Sequence, residues 1–163
     1  MVIKIKNKNI LIYKSFAFRC CMGAKGITKN KNEGDGKTPK GKFNLGYLYY
    51  RADRNIKPST KIKCIKINKS MGWCNDINNK NYNRLIKINN KIRYEKMYRR
   101  DHKYDFVLNV KYNYTNVTPG KGSAIFIHLT KNYKPTAGCI ALKKLDMLIL
   151  LKLIDKNTKI SIN

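Results

Sequence analysis

A single run rich in Leu and Ile, in a chain otherwise built of short alternating segments, sets the limits on this fold. Leu142–Ile154 contains no Gly or Pro and is long enough for a helix of about three turns, expected to pack into the core on most faces. Elsewhere the apolar residues come in short stretches rich in Ile, Val, Phe and Tyr. Val2–Lys6, Ile62–Ile67, Arg84–Ile88, Tyr104–Val110 and Ala124–Leu129 read as strands. Asn30–Lys42, the Asn-rich Asn75–Asn83, and Thr118–Ser123 with its Pro-Gly-Lys-Gly are the turn-forming stretches between them. A last strand is expected at Lys159–Ile162. No internal repeat or low-complexity linker divides the 163 residues, a length that suits one domain. The expectation is a mainly β (α+β) single domain over residues 1–163, a β-sandwich or partly open barrel with one substantial C-terminal helix.

Charge enters the argument as a warning. The chain carries 36 Lys+Arg against 9 Asp+Glu, a net charge of +27. It also contains 29 Lys, 20 Asn and 20 Ile but only 7 Arg. Those three abundant residues share A/T-rich codons, so the composition is explained without selection for a polyanionic partner. The positive field still attracts acidic substrates and favours the thiolate of any exposed cysteine.

The five cysteines, Cys20, Cys21, Cys64, Cys74 and Cys139, are odd in number and include no CxxC pair. With only His102 and His128 to add, no zinc-type spacing arises, so no metal site is expected. A reduced, cytoplasmic setting is the reading of the cysteines. The apolar stretch Ile10–Phe18 is cut by Lys14 and followed by Arg19, which is too short and broken for an export signal. Leu145–Ile154 falls far short of the ~20 residues of a membrane helix.

Few groups are candidates for chemistry. Gly34-Asp35-Gly36-Lys37-Thr38 has the end of a phosphate-binding loop, but Lys31 stands where that motif needs its first Gly. Asp101 and Asp105, among Arg99, Arg100 and Lys103, read as charge compensation. The strongest local signal is Ala124-Ile125-Phe126-Ile127-His128-Leu129, followed by Gly138-Cys139. Alternation puts His128 on the face of Phe126, opposite Ile125 and Ile127. Gly138 lets the backbone beside Cys139 turn sharply. Brought together, Cys139 and His128 would supply a nucleophile and a base. On the residues alone, a core His and a buried structural Cys account for the same pattern.

Further motifs bear on that choice. Gly36-Lys37-Thr38-Pro39-Lys40-Gly41-Lys42-Phe43, His128, and Thr136-Ala137-Gly138-Cys139 together resemble the catalytic domain of the L,D-transpeptidase (YkuD-like) family. The early segment is similar to that family's Thr-Pro-x-Gly-x-Phe motif, the later ones to its His…Ser/Thr-x-Gly-Cys signature. Met71-Gly72-Trp73-Cys74-Asn75-Asp76, Tyr82-Asn83-Arg84 and Pro119-Gly120-Lys121-Gly122-Ser123-Ala124 look like elements of a signal-less branch. The resemblance spans about residues 2–154. Familiar members carry His where Ala137 stands, and often Arg or Asn where Ala141 stands.

The resemblance implies a sandwich of that catalytic type and cysteine-dependent acyl transfer on peptidoglycan stem peptides or muropeptides. Cys139 would be the nucleophile and His128 the base. Gly138 and Cys139 would offer N–H donors to the oxyanion, and Thr136 would help hold the His128 ring. With Ala137 and Ala141 in place of the usual carboxylate contact, Arg84, or one of Arg99 and Arg100, would replace it through a bidentate fork. Trp73 and Tyr82 would wall the groove or, as is the default for such aromatics, pack in the core. No metal or organic cofactor is required. His102 is the competing base, with Asp101 to orient it, though a surface or substrate-edge histidine is the favoured reading, and Cys74 is read as packing. The absent export signal favours soluble muropeptides in the cytoplasm, with the periplasm as the alternative, and water or an amine as acceptor. The rival reading is a basic nucleic-acid-binding β module stacking bases on Tyr47, Tyr49, Tyr50, Tyr112 or Tyr114. The even spread of cations and the excess of Lys over Arg speak against it.

Overall fold

The computed structural model describes residues 1–163. In chain order its elements are β1 (Val2–Lys6), β2 (Ile10–Tyr13), β3 (Phe16–Cys21), β4 (Ile27–Thr28), β5 (Thr38–Pro39), β6 (Gly41–Tyr50) and β7 (Cys64–Lys66). There follow β8 (Met71–Cys74), β9 (Leu85–Lys87), β10 (Tyr94–Lys96), β11 (Phe106–Val110), β12 (Phe126–Leu129), β13 (Ile140–Leu142), α1 (Lys144–Leu153) and β14 (Lys159–Ile162). The stretch that looked like a broken apolar run is the hairpin β2–β3, with Leu11, Tyr13 and Phe18 in the core. Lys14 reverses the chain at φ 55°, a left-handed conformation that ordinary residues adopt only singly.

The main sheet runs β11-β12-β13-β3-β2-β1-β14-β6-β7, and β6 pairs with β11 as well. The order therefore returns on itself. Two strands pass from one sheet of the sandwich to the other. The first part of β6 pairs with β14, and its second part with β11 and β7. β3 pairs first with β2 and then with β13. On β6 the pairing of Val110 with Leu45 and Leu108 with Leu48 leaves one extra residue, a bulge of the kind that bends a strand. This is the mainly β sandwich expected from the sequence, with its single C-terminal helix.

Two cores flank β11 and β12, and every residue of both strands is buried. Phe106, Leu108, Ile127 and Leu129 face the larger core between the sheets and α1. Val107 and Phe126 face a smaller aromatic core with Tyr49, Trp73, Met97 and Tyr104, bordered by the three-stranded sheet β10-β8-β9. A strand buried on both sides reads as a continuous apolar run, while its side chains still alternate. The helix is less enclosed than expected. Met147, Leu150 and Leu151 form its buried face, each worth about 2 kcal/mol of apolar burial, whereas Leu145 is 69% exposed. No helix is long and apolar enough to cross a membrane.

Candidate active site

β12 and β13 lie side by side and parallel, with Ile127 opposite Ile140 and His128 opposite Ala141. Cys139 immediately precedes β13, so the register puts it at the level of Phe126, and His128 follows two residues on along the same face. The contacts agree. The Cys139 Sγ accepts a hydrogen bond from the Phe126 N–H at 3.4 Å and donates to the Ala124 carbonyl at 3.1 Å. His128 is buried, and its Nδ1–H donates to the Leu129 carbonyl oxygen at 2.9 Å. That bond fixes the tautomer and leaves Nε2 as the acceptor. The Tyr104 ring packs against the imidazole at 5.3 Å between centroids. Cys139 and His128 line one cavity of about 250 Å³.

Three backbone segments hold the thiol. The Thr136 hydroxyl donates to the Cys139 carbonyl at 2.6 Å and accepts from the Gly138 N–H at 3.1 Å, closing a small turn. The Thr136 N–H donates to the Met22 carbonyl at 2.8 Å, and its own carbonyl accepts from Ala24 at 2.9 Å. The third segment is the Thr-Pro stretch, where the buried Thr38 hydroxyl accepts from the Gly23 N–H at 2.9 Å. Gly138 is required twice over. Its φ is +151°, and a Cβ would lie 2.7 Å from the Lys37 carbonyl oxygen.

Electrostatics depart from the expectation of a thiolate favoured by the positive field. Burial, and then the Glu95 carboxylate, push the Cys139 thiol up to about 12. Burial lowers His128 to about 4. Between those values both groups are neutral, so the resting pair is thiol and imidazole. Alkylation of the Cys139-bearing peptide by iodoacetamide is therefore expected to keep accelerating from pH 7 to pH 9. A plateau already reached below pH 7 would mean a preformed ion pair.

Several expected roles are redistributed. Thr136 bonds the turn that carries Cys139 and makes no hydrogen bond to the His128 ring. The Gly138 N–H is committed to Thr136, while the Cys139 N–H has no partner within the chain. Trp73 and Tyr82 are 1% and 2% exposed, and neither lines the cavity. Trp73 packs edge-on against Phe126 and donates to Asn83 Oδ1 at 2.9 Å, an atom that also accepts from the Ala124 N–H. The Tyr82 hydroxyl donates to Glu33 at 2.5 Å and accepts from the Gly122 N–H at 3.0 Å. Arg84 lies outside the cavity, donating to the carbonyls of Tyr114 and Asn83. Arg99 and Lys103 do line it.

His102 is 78% exposed and faces Asp105, not Asp101. Asp101 and Asp105 pair with Arg99 and Arg54, as charge compensation predicts. Cys74 is fully buried, and Tyr49 and Tyr50 are core residues unavailable for stacking on bases. Ala137 and Ala141 both line the cavity, where their small side chains leave room that a larger residue would fill. The sequence reading missed Glu33, Glu95, Asn75 and Tyr104 as lining residues. The scarcity of Glu in so basic a chain was the available signal.

No group of three or more His, Cys, Asp or Glu side chains is arranged to hold a metal ion. Comparison with curated proteins and with solved structures found no match. The family model for the L,D-transpeptidase catalytic domain (YkuD) matches residues 1–162. A match over essentially the whole chain, on a mainly β fold with one helix, decides the family: the protein belongs to the L,D-transpeptidase catalytic-domain family, whose chemistry is L,D-transpeptidase-type catalysis on peptidoglycan.

Proposed function

We propose that this protein is a thiol acyltransferase of peptidoglycan stem peptides, working through a thioester on Cys139. One observation carries the reading. The Cys139 thiol and the His128 imidazole line the same cavity, and the Leu129 carbonyl leaves the imidazole Nε2 free as an acceptor.

The steps follow from what each group can do. Substrate entry turns the thiol away from the Ala124 carbonyl and toward Nε2. The Sγ–H proton passes to Nε2 as Sγ bonds to the carbonyl carbon of the L-centre residue preceding a terminal D-amino acid. The unpartnered Cys139 N–H donates to the oxyanion, an interaction strongest once charge has developed. The C–N bond then breaks, and the imidazolium returns its proton to the leaving amine. An amine or water next attacks the thioester, losing a proton to Nε2, and the C–S bond breaks as Sγ regains its proton. An amine gives cross-linking or exchange, and water gives L,D-carboxypeptidation. Arg99 takes over the carboxylate contact from Arg84, its Nη1 remaining after Nε and Nη2 engage Asp101.

Soluble muropeptides in the cytoplasm are the substrate pool this reading favours, with the periplasmic wall as the alternative. The test is mass spectrometry of a disaccharide-tetrapeptide incubated with the protein, with and without a free D-amino acid. Loss of the terminal D-residue, or its exchange, is expected, and the ratio of the two gives the normal acceptor. An unaltered tetrapeptide in both incubations would contradict the proposal.

A further inference from the structure

The His128 ring makes one hydrogen bond to the chain, from Nδ1 to the carbonyl of the next residue. A ring held at a single atom can still tilt about that bond. What sets the plane of the imidazole is therefore packing, and the ring packed against it is Tyr104, at 5.3 Å between centroids and 59° between planes.

Tyr104 is itself held from several directions. It is buried, meets Phe126 edge-on at 6.0 Å, and has the Arg99 guanidinium 5.0 Å from its ring centroid. The Lys103 carbonyl accepts the Leu129 N–H at 2.9 Å. The backbone entering Tyr104 is thus tied to the residue whose carbonyl holds His128 Nδ1. The phenol hydroxyl donates to Glu95 Oε1. Glu95 stands on β10 opposite Trp73 on β8, so this bond joins the three-stranded sheet to the ring beside the imidazole.

A phenylalanine would fill the same space and make the same edge-on contacts. The hydroxyl adds a fixed anchor, and a buried O–H needs an acceptor. Burial and the Glu95 carboxylate push the Tyr104 hydroxyl well above 10, so it stays protonated and donating. Glu95 makes no ion pair, and its charge helps keep the Cys139 thiol protonated. A carboxylate unhelpful to the thiol is thus engaged by the ring that packs on the base.

We infer that Tyr104 and Glu95 are positioning residues for His128, an inference that rests on the acyl-transfer reading above. The Glu95 carboxylate fixes the phenol, the phenol fixes the plane of the imidazole, and Nε2 keeps one orientation in the cavity, as a supporting shell does for a reacting group. Neither residue exchanges a proton with the substrate or the thiol. Only the acceptor oxygen of Glu95 matters to this role, and a glutamine supplies one without the charge.

The test follows the imidazole and the reaction separately. The chain has two histidines, and His102 is exposed, so isotope-labelled histidine gives two distinguishable rings by NMR. The unaltered protein is expected to show His128 as a single Nδ1–H tautomer. In Tyr104→Phe and Glu95→Ala proteins the ring turns away from the Leu129 carbonyl, and both tautomers are expected. There kcat should fall by roughly 10- to 100-fold, with KM changed by less than about twofold. Glu95→Gln is expected to restore the single tautomer and to bring kcat back to within about threefold of the unaltered protein. A single Nδ1–H tautomer retained in both Tyr104→Phe and Glu95→Ala would overturn the positioning role. A loss confined to KM would do the same, as would a Glu95→Gln protein no better than Glu95→Ala. The expected tautomer changes in a protein that turns over no stem peptide would instead support the positioning and remove the acyl-transfer reading.

Discussion

Replacement of Cys139 by Ala is expected to lower turnover of a stem peptide by roughly 10⁴-fold or more, since removing an essential nucleophile leaves only binding and oxyanion stabilisation. The fold should tolerate the change. The lost contacts are one thiol bond to the Ala124 carbonyl and one from the Phe126 N–H, so the melting temperature is expected to stay within about 3 °C. Steady-state hydrolysis and a thermal melt on the same preparation read both effects. A Cys139→Ala protein that kept a tenth of its activity would remove Cys139 from the reaction. The rival assignment of the base is separated by the same assay, because His102→Ala alters an exposed side chain that does not line the cavity and is expected to leave the rate unchanged.

Gly138→Ala should damage both stability and chemistry. At φ +151° a residue with a Cβ is strained by about 1–3 kcal/mol. The new methyl group would also lie 2.7 Å from the Lys37 carbonyl, and backbone can relieve that contact only by moving. A total near 3 kcal/mol lowers the melting temperature of a domain this size by about 10 °C. The movement displaces the Thr136–Cys139 turn, and a misplacement of about 1 Å can cost on the order of 100-fold in rate. A Gly138→Ala protein with unaltered melting temperature and rate would show that the three-segment clamp on Cys139 does not hold it.

The architecture was legible where local pattern and tertiary environment agree. β1 and β14 fall at the expected residues, and α1 lies within the expected apolar run. β6 escaped because Gly41, Asn44 and Gly46 interrupt its pattern, which reflects the passage from one sheet to the other and the bulge there. The hairpin β2–β3 escaped because Lys14 gives no turn signal, yet sits in the left-handed region.

The same division runs through the site. The convergence of His128 and Cys139 was readable because β12 carries one and the residue entering its parallel neighbour β13 is the other. The surroundings were not, because they depend on segments distant in sequence. Tyr82, Asn83 and Arg84 are consecutive, yet one holds Glu33, the next holds Trp73 and Ala124, and the third bonds the Tyr114 carbonyl. Alternation says which face a side chain takes, but not which loop meets it there. The charge of +27 likewise gave no hint that burial would leave the thiol protonated.

The central claim is a covalent acyl group on Cys139. Rapid quenching of the protein with a disaccharide-tetrapeptide, followed by intact mass and peptide mapping, tests it directly. The expected result is an adduct of the tetrapeptide less its terminal D-amino acid, located on the Cys139-bearing peptide and removed by hydroxylamine as a thioester is. An unmodified Cys139 peptide at every quench time, while the terminal residue is nonetheless released, would contradict the account.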